Sequence, residues 1–139
     1  MSDLERIGVS LDKKLLKQFD NYIRQKSYTN RSEAIRDIIR HKLMEEELAQ
    51  PNSSAVAAIY LIYDHHTMKL SQRLVEIQHE FVIKTICSMH VHLDHHNCME
   101  IIILKGKVSE IQKIADHIVS LKGVKLSKVN LMSSSDKIT

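Results

Sequence analysis

One short strand followed by two helices, with nothing to cover them, most constrains how this chain can fold. Residues 6 to 11, Arg-Ile-Gly-Val-Ser-Leu, alternate polar and apolar. Ile7, Val9 and Leu11 therefore fall on one face of a half-buried strand, with Arg6, Gly8 and Ser10 on the other. Leu15, Leu16, Phe19 and Ile23 then recur at helical spacing. Lys26 to Thr29 reads as a turn. Asn30 can cap a second helix, with Glu33 three residues on as in a capping box, and Ala34, Ile35, Ile38, Ile39 and Leu43 give that helix an apolar stripe. Strand, helix and helix in about forty-five residues bury too little surface to be stable alone, and the strand has two unpaired edges. Two chains that pair their strands antiparallel and interlock their helices remove both problems. The segment is expected to be an obligate dimer.

The pattern changes past residue 45. Glu45 to Ser54 holds three consecutive acids and the only proline, Pro51, and reads as a connecting stretch. The expected organisation is an N-terminal domain over residues 1–49, a linker over 50–54 and a C-terminal domain over 55–139. Val56 to Tyr63 is nearly continuous in apolar residues, as a buried strand requires. Residues 67 to 81 are helical, striped by Leu70, Leu74, Ile77 and Phe81. Residues 85 to 93 and 98 to 105 form two strands joined by the polar turn Asp94-His95-His96-Asn97. Ile111, Ile114, Ala115, Ile118 and Leu121 stripe another helix, with Gly123 just past its end where a left-handed cap is favoured. Val124 to Met132 is a last strand, and Ser133 to Thr139 is expected to be a loose tail. The order βαββαβ is the split-βαβ, ferredoxin-like arrangement. The whole chain is α+β, with two helices on one face of the second domain's sheet and the other face open.

Charge and composition narrow the function classes. The net charge is +3 over 139 residues. Residues 1 to 42 carry ten Lys or Arg against six acids, a balance of +4 that suits phosphate contact. No apolar run is long enough to span a bilayer, and Met-Ser-Asp-Leu-Glu-Arg-Ile-Gly has no apolar signal core, so a cytoplasmic protein without membrane contact is expected. Two cysteines, Cys87 and Cys98, are too few for a disulfide framework and should be thiols.

Histidine carries the chemistry. Of nine histidines, seven lie between residues 65 and 96, and imidazole is the commonest metal ligand among side chains. In Thr85 to Leu93, alternate residues share a face. Cys87, Met89, Val91 and Leu93 form an apolar side, which places Cys87 among core residues with a structural role. His90 and His92 project together from the other side, ~7 Å apart along the strand. Across a hairpin, Cys98 lies beside them, and Glu100 shares their face, where it can accept a hydrogen bond from a ligating imidazole. His79 lies roughly opposite the apolar stripe of its helix, at ~100° per residue. It is either solvated or aimed at another subunit, where it would complete a four-coordinate site. His65, His66, His95 and His96 fall at a helix entrance and a turn, where ordinary exposed histidines are the better reading. Three nitrogens and a sulfur suit tetrahedral Zn²⁺ or square-planar Ni²⁺ and Cu²⁺; the residues alone do not separate these metals.

Taken together, these residues give the chain a resemblance to the nickel-responsive transcriptional regulators of bacteria and archaea, the NikR-like proteins. It is carried by the strand ending in Leu11-Asp12, the stretch Asn30 to Asp37, Ile77-Gln78-His79, His90-Val91-His92, Asn97-Cys98 and Leu104-Lys105-Gly106, in matching order and spacing. The resemblance implies an N-terminal ribbon-helix-helix (βαα) DNA-binding domain and a C-terminal ferredoxin-like (ACT-like) domain that senses metal and tetramerises. It implies one Ni(II) per subunit, square-planar, on His90, His92 and Cys98 of one chain and His79 of another, with Gln78 and Glu100 in support. It implies a homotetramer, a dimer of dimers, that grips palindromic double-stranded operator DNA when loaded and mainly represses nickel-uptake and nickel-related genes. Arg6, position 8 and Ser10 would enter the major groove. Position 8 here is Gly8, which has no side chain to read a base. Asn30, Arg31 and Ser32 would meet phosphates from a helix N-terminus, and Glu33 and Asp37 match a weaker second cation site.

Three other readings compete. One is a sensor for zinc, copper or cobalt on the same scaffold. Another is a ribbon-helix-helix repressor whose second domain binds a protein and whose histidines are incidental. The third is a metal-dependent enzyme, but neither a paired acid and base nor a phosphate-cradling loop is visible, and four protein ligands leave no open position for a small-molecule substrate.

Overall fold

The computed structural model describes residues 3–81 and 84–137. In chain order its elements are α1 (Lys13–Gln25), α2 (Arg31–Leu48), β1 (Ser54–Asp64), α3 (Met68–Glu80), β2 (Thr85–His92), β3 (Asn97–Lys107), α4 (Val108–Val119) and β4 (Val124–Ser133). Two compact units divide the chain, Met1–His41 and Lys42–Thr139. Among the described residues no helix is long and apolar enough to cross a membrane.

In the first unit both helices start on a side-chain cap, at Asp12 and at the expected Asn30. Asp12 caps α1, its Oδ1 accepting from the Leu15 amide at 2.9 Å. Asn30 Oδ1 accepts from the Glu33 amide at 2.9 Å at the start of α2. Glu33 does not complete the reciprocal half of a capping box; its carboxylate accepts from the Thr29 hydroxyl instead. Between the helices Ser27 takes a left-handed φ of 61°, which reverses the chain and lets the Tyr28 amide reach the Ile23 carbonyl. Ile23 and Ala34 are buried. Residues 3 to 12 form no ladder in this single chain. Ile7 is 76% exposed and Val9 64%. A strand needs a partner for its amides and carbonyls, and one copy of the chain supplies none.

The second unit is βαββαβ, as expected. Its four strands lie in the order β2-β3-β1-β4, every neighbouring pair antiparallel. β1 alternates strictly. Ala55, Ala57, Ile59, Leu61 and Tyr63 are buried beneath the helices, and the residues between them are half-buried on the far face. Leu70, Leu74 and Ile77 of α3 and Ile111, Ile114, Ala115 and Ile118 of α4 close the core from above. No side chain caps α4. Its first amides are instead satisfied by the chain entering β1: Val108 donates to the Ser53 carbonyl at 2.9 Å and Ser109 to the Pro51 carbonyl at 3.1 Å. Gly123 has φ 104°, and a Cβ there would stand 3.2 Å from Leu70 Cδ2, so both backbone and space favour glycine.

Two expectations need correction. Cys87 is exposed and not part of the core. β2 is an edge strand, and its apolar side lies on the open face of the sheet, across from Ile101 and Ile103, whereas the side bearing His90 and His92 turns toward the helices. The expected loose tail is also tied down in part. Ser134 donates to the Ser54 carbonyl at 3.0 Å, extending the β1–β4 pairing, and turns at Ser135 and Lys137 are closed by serine hydroxyls. Residues 138 and 139 lie outside the described residues.

Candidate metal centre

The β2–β3 hairpin sets the centre. Its register pairs His92 with Cys98 and His90 with Glu100, so two imidazoles, a thiol and a carboxyl stand on one face of two adjacent strands. Directly opposed residues in an antiparallel pair have Cβ atoms ~5 Å apart, and the His90 and His92 ring centroids lie 4.9 Å apart. The register puts His90, His92 and Cys98 on one face of neighbouring strands within one chain, but their donor atoms are not drawn to within 4.8 Å of one another; among the described residues Asp64, His65 and His66 are.

The surroundings fix the donors. Glu100 Oε2 sits 2.8 Å from His90 Nδ1. A carboxylate can only accept from a neutral ring, so Nδ1 carries the proton and Nε2 is left with its lone pair. This is the arrangement that orients a ligating histidine. Tyr63, buried on β1, contributes a hydroxyl 3.5 Å from both His90 Nδ1 and Glu100 Oε2. Sequence reasoning missed Tyr63, because its proximity follows from the β1–β3 register and from no local motif. Cys98 is fully buried, with Sγ 3.5 Å from the Tyr63 carbonyl oxygen. Burial pushes its thiol up from the ordinary value, a bond from the Tyr63 side chain works the other way, and the neighbouring carboxyls of Glu100 and Asp64 push it up again. A thiol in this place binds a cation only by giving up its proton.

Two imidazoles and a sulfur on rigid strands fit a borderline divalent metal ion one ligand short of four. His79 is exposed on α3, away from the buried stripe, and among the described contacts neither it nor half-buried Gln78 touches His90, His92 or Cys98. Of the histidines expected to be ordinary exposed ones, His66, His95 and His96 are exposed and His65 is half-buried. The His65 and His66 rings lie tilted at 35° to each other with centroids 4.0 Å apart, and the His65 ring lies 5.7 Å from that of His92.

The residues assigned to DNA lie in the first unit. Arg6, Gly8 and Ser10 are exposed, and a Cβ on Gly8 would meet nothing within 4 Å. Asn30 spends its carbonyl oxygen on the helix cap. Arg31 forms a two-pronged pair with Asp20, at 2.9 and 3.0 Å. Ser32 is exposed beside it. Glu33 and Asp37 each hold a neighbouring hydroxyl, Glu33 that of Thr29. Asp37 accepts from the Tyr28 hydroxyl at 2.7 Å, a bond that pushes the Tyr28 phenol up to about 12.

Comparison with known proteins adds the following. Residues 56–132 match the family model described as the NikR C-terminal nickel-binding domain. Residues 5–46 match the ribbon-helix-helix protein, copG family. A nickel-responsive regulator of Solibacter usitatus is 44% identical over 134 residues, 96% of either chain. One of Geobacter sulfurreducens is 44% identical over 138 residues, 99% of either chain. One of Syntrophus aciditrophicus is 47% identical over 133 residues, 94% of this chain and 95% of the relative.

Proposed function

This chain belongs to the nickel-responsive regulator family, and on that premise we propose that it is a nickel-dependent transcriptional regulator, mainly a repressor of nickel-uptake and nickel-related genes, acting in the cytoplasm. Residues 1–49 hold palindromic operator DNA, 50–54 connect, and 55–139 bind the metal and assemble four chains as a dimer of dimers. One observation carries the reading: the pairs His92–Cys98 and His90–Glu100 gather two imidazoles and a thiol beside a carboxyl that orients one of the rings.

His90, His92 and Cys98 of one subunit hold one Ni(II), and His79 of another completes a square-planar set. Glu100 keeps His90 in the ligating tautomer, and Gln78 steadies the turn of helix that carries His79. When bound, the ion supplies a crosslink between chains. The exposed apolar side chains Met89, Leu126 and Met132 on the open face of the sheet support assembly, because contiguous apolar surface of this kind marks a contact between proteins. Ile38, Ile39 and Leu43, exposed on α2, are what a second interlocked chain would cover.

In a paired ribbon Arg6 and Ser10 point into the major groove, where arginine suits guanine and serine either base type. Gly8 offers no side chain, so discrimination concentrates on its two neighbours. The amides at the start of α2, with Asn30, Arg31 and Ser32, meet phosphates; the exposed Arg31–Asp20 pair costs little to exchange for one. A weaker cation site at Glu33 and Asp37 would first have to draw these carboxylates off Thr29 and Tyr28.

The test is a nickel titration of the purified protein that follows thiolate absorption together with binding to an operator selected from random duplexes. Square-planar thiolate bands and nickel-dependent operator binding are expected to appear together. His90→Ala should abolish both and leave the assembly intact. If that variant still binds the operator tightly and only with nickel, the assignment is wrong. Tetrahedral spectra with zinc-dependent DNA binding would move the same scaffold to another metal.

A further inference from the structure

Three consecutive acids near the end of α2 behave differently. Glu45 and Glu46 are open to water, with Lys42 Nζ 3.4 and 3.5 Å away. Glu47 is turned inward. Its side chain is 20% exposed, and its Oε2 accepts from the Ser53 hydroxyl at 2.8 Å. Its Oε1 lies 3.9 Å from Lys137 Nζ on the C-terminal tail, a pair open on the lysine side that adds little. Beside it Leu48 packs against the core of the second unit. The stretch that follows is tied down residue by residue. The Gln50 amide donates to the Glu47 carbonyl at 3.0 Å, and the Ser53 amide to the Gln50 carbonyl at 3.1 Å. The first amides of α4 hold the Pro51 and Ser53 carbonyls, and the Ser134 amide holds that of Ser54. A flexible tether leaves such groups to water. α2 itself is one helix from Arg31 to Leu48, and the boundary between the two compact units falls inside it, after His41.

We propose that residues 47–54 form a rigid joint, and that Glu47 is the positioning residue that fixes the end of α2 to the metal-binding unit. The joint itself stands on the contacts above; its consequence at DNA rests on the reading of the chain as a regulator. A loose tether lets each of two linked binding modules find its site by itself, whereas a rigid one permits only separations that match its geometry. Half-site spacing is such a geometric demand, because one inserted base pair turns a half-site by ~35° about the DNA axis. The joint therefore makes the protein select operators by the spacing of their halves as well as by their bases. Bending between the units is left to α2 near His41 and not to residues 50–54.

The experiment has two arms on the full chain. In the first, amide hydrogen exchange of the nickel-free protein is followed by NMR. Glu47→Ala removes a bond to a charged acceptor, so the Gln50 and Ser53 amides should exchange about tenfold faster or more, while the amides of the β1–β3 ladder keep their wild-type rates. Glu47→Gln keeps an oxygen for the Ser53 hydroxyl and should fall between. In the second arm, nickel-loaded protein is titrated onto an operator selected from random duplexes, and onto the same operator with one base pair inserted between its halves. Wild type should lose about tenfold or more in affinity on the insertion. Glu47→Ala should bind the matched operator more weakly and show a clearly smaller loss on the insertion, with thiolate absorption saturating at the wild-type nickel concentration. A merely structural role would weaken both duplexes alike and leave their ratio unchanged. Ser53→Ala, which removes the donor instead of the acceptor, should move both arms in the same direction and decides the matter if Glu47→Ala does not fold. The proposal is overturned if exchange at Gln50 and Ser53 is unchanged in these variants, or if exchange quickens and the ratio between the two operators stays at its wild-type value. If wild type binds no duplex, the regulator reading fails, and the exchange arm alone decides whether the joint is rigid.

Discussion

Replacing Glu100 tests whether an oriented imidazole is what makes the inner centre tight. Glu100 has a side chain only 12% exposed, and its Oε2 is 2.8 Å from His90 Nδ1. Glu100→Ala removes a charged acceptor that fixes both the tautomer and the tilt of the ring. A hydrogen bond to a charged group is worth ~1.5–3 kcal/mol, and at 1.4 kcal/mol per decade that is roughly 10- to 100-fold in affinity. The same range follows independently from substitutions of groups that orient ligating histidines. Glu100→Gln keeps the shape and one accepting oxygen, so its loss should fall between wild type and Glu100→Ala. The assay is a chelator-competition titration read by thiolate absorption, with wild type, both Glu100 variants and Cys98→Ser in parallel. Nickel affinity of Glu100→Ala indistinguishable from wild type, while Cys98→Ser abolishes binding, would refute the idea that the carboxyl orients His90. Loss in Glu100→Gln equal to that in Glu100→Ala would show that charge matters and shape does not.

Because burial holds the Cys98 thiol above its ordinary value, nickel must displace its proton, and affinity should strengthen by roughly tenfold per pH unit below that raised pKa; a dissociation constant flat between mildly acidic and mildly alkaline buffer would contradict this. Leu74→Ala empties a position on α3 that is 1% exposed and should destabilise the C-terminal unit by about 2–5 kcal/mol in urea unfolding. Asn30→Ala removes the side-chain cap of α2 and should cost about 1 kcal/mol, seen as a lower unfolding midpoint that nickel does not restore. Asp94 accepts from the Asn97 side chain and from the amides of Asn97 and His96, bonds that lower its carboxyl to about 2. Its folded pKa lies below the unfolded one, so the turn gains stability above the unfolded pKa and loses it as pH falls toward 2; an NMR titration placing Asp94 near the unperturbed value would contradict this.

Periodicity made most of the second unit legible. The strict alternation of β1, the stripes of α3 and α4 and the polar turn at residues 94–97 locate every element to within a few residues. The facing of His90, His92 and Cys98 follows from parity and a short hairpin alone. Parity does not say which side of β2 meets the helices. The apolar side bearing Cys87 and Met89 looks like core, yet an edge strand can turn its apolar side to the open sheet face, while Glu100 and Tyr63 satisfy the polar side within the fold. Two neighbourhoods were hidden because long-range register makes them. Tyr63 reaches His90 across β3, and Asp64, His65 and His66 meet the Asp94–Asn97 turn only because β1 and β3 end together. The ladder of residues 6–11 is absent for a related reason, since its partner belongs to a second molecule.

The position of β2 at the margin of the sheet bears on timing. Cys98 and Tyr63 face inward there, but the His90 side chain keeps 40% of its surface open to water. An ion can therefore reach His90 from water, whereas the fully buried Cys98 sulfur is met only after local opening around it. Opening of the packed interior around Cys98 therefore gates the exchange. On the proposed reading, how quickly the regulator resets when its metal is withdrawn depends on that opening as well as on the lifetimes of individual bonds to nitrogen and sulfur.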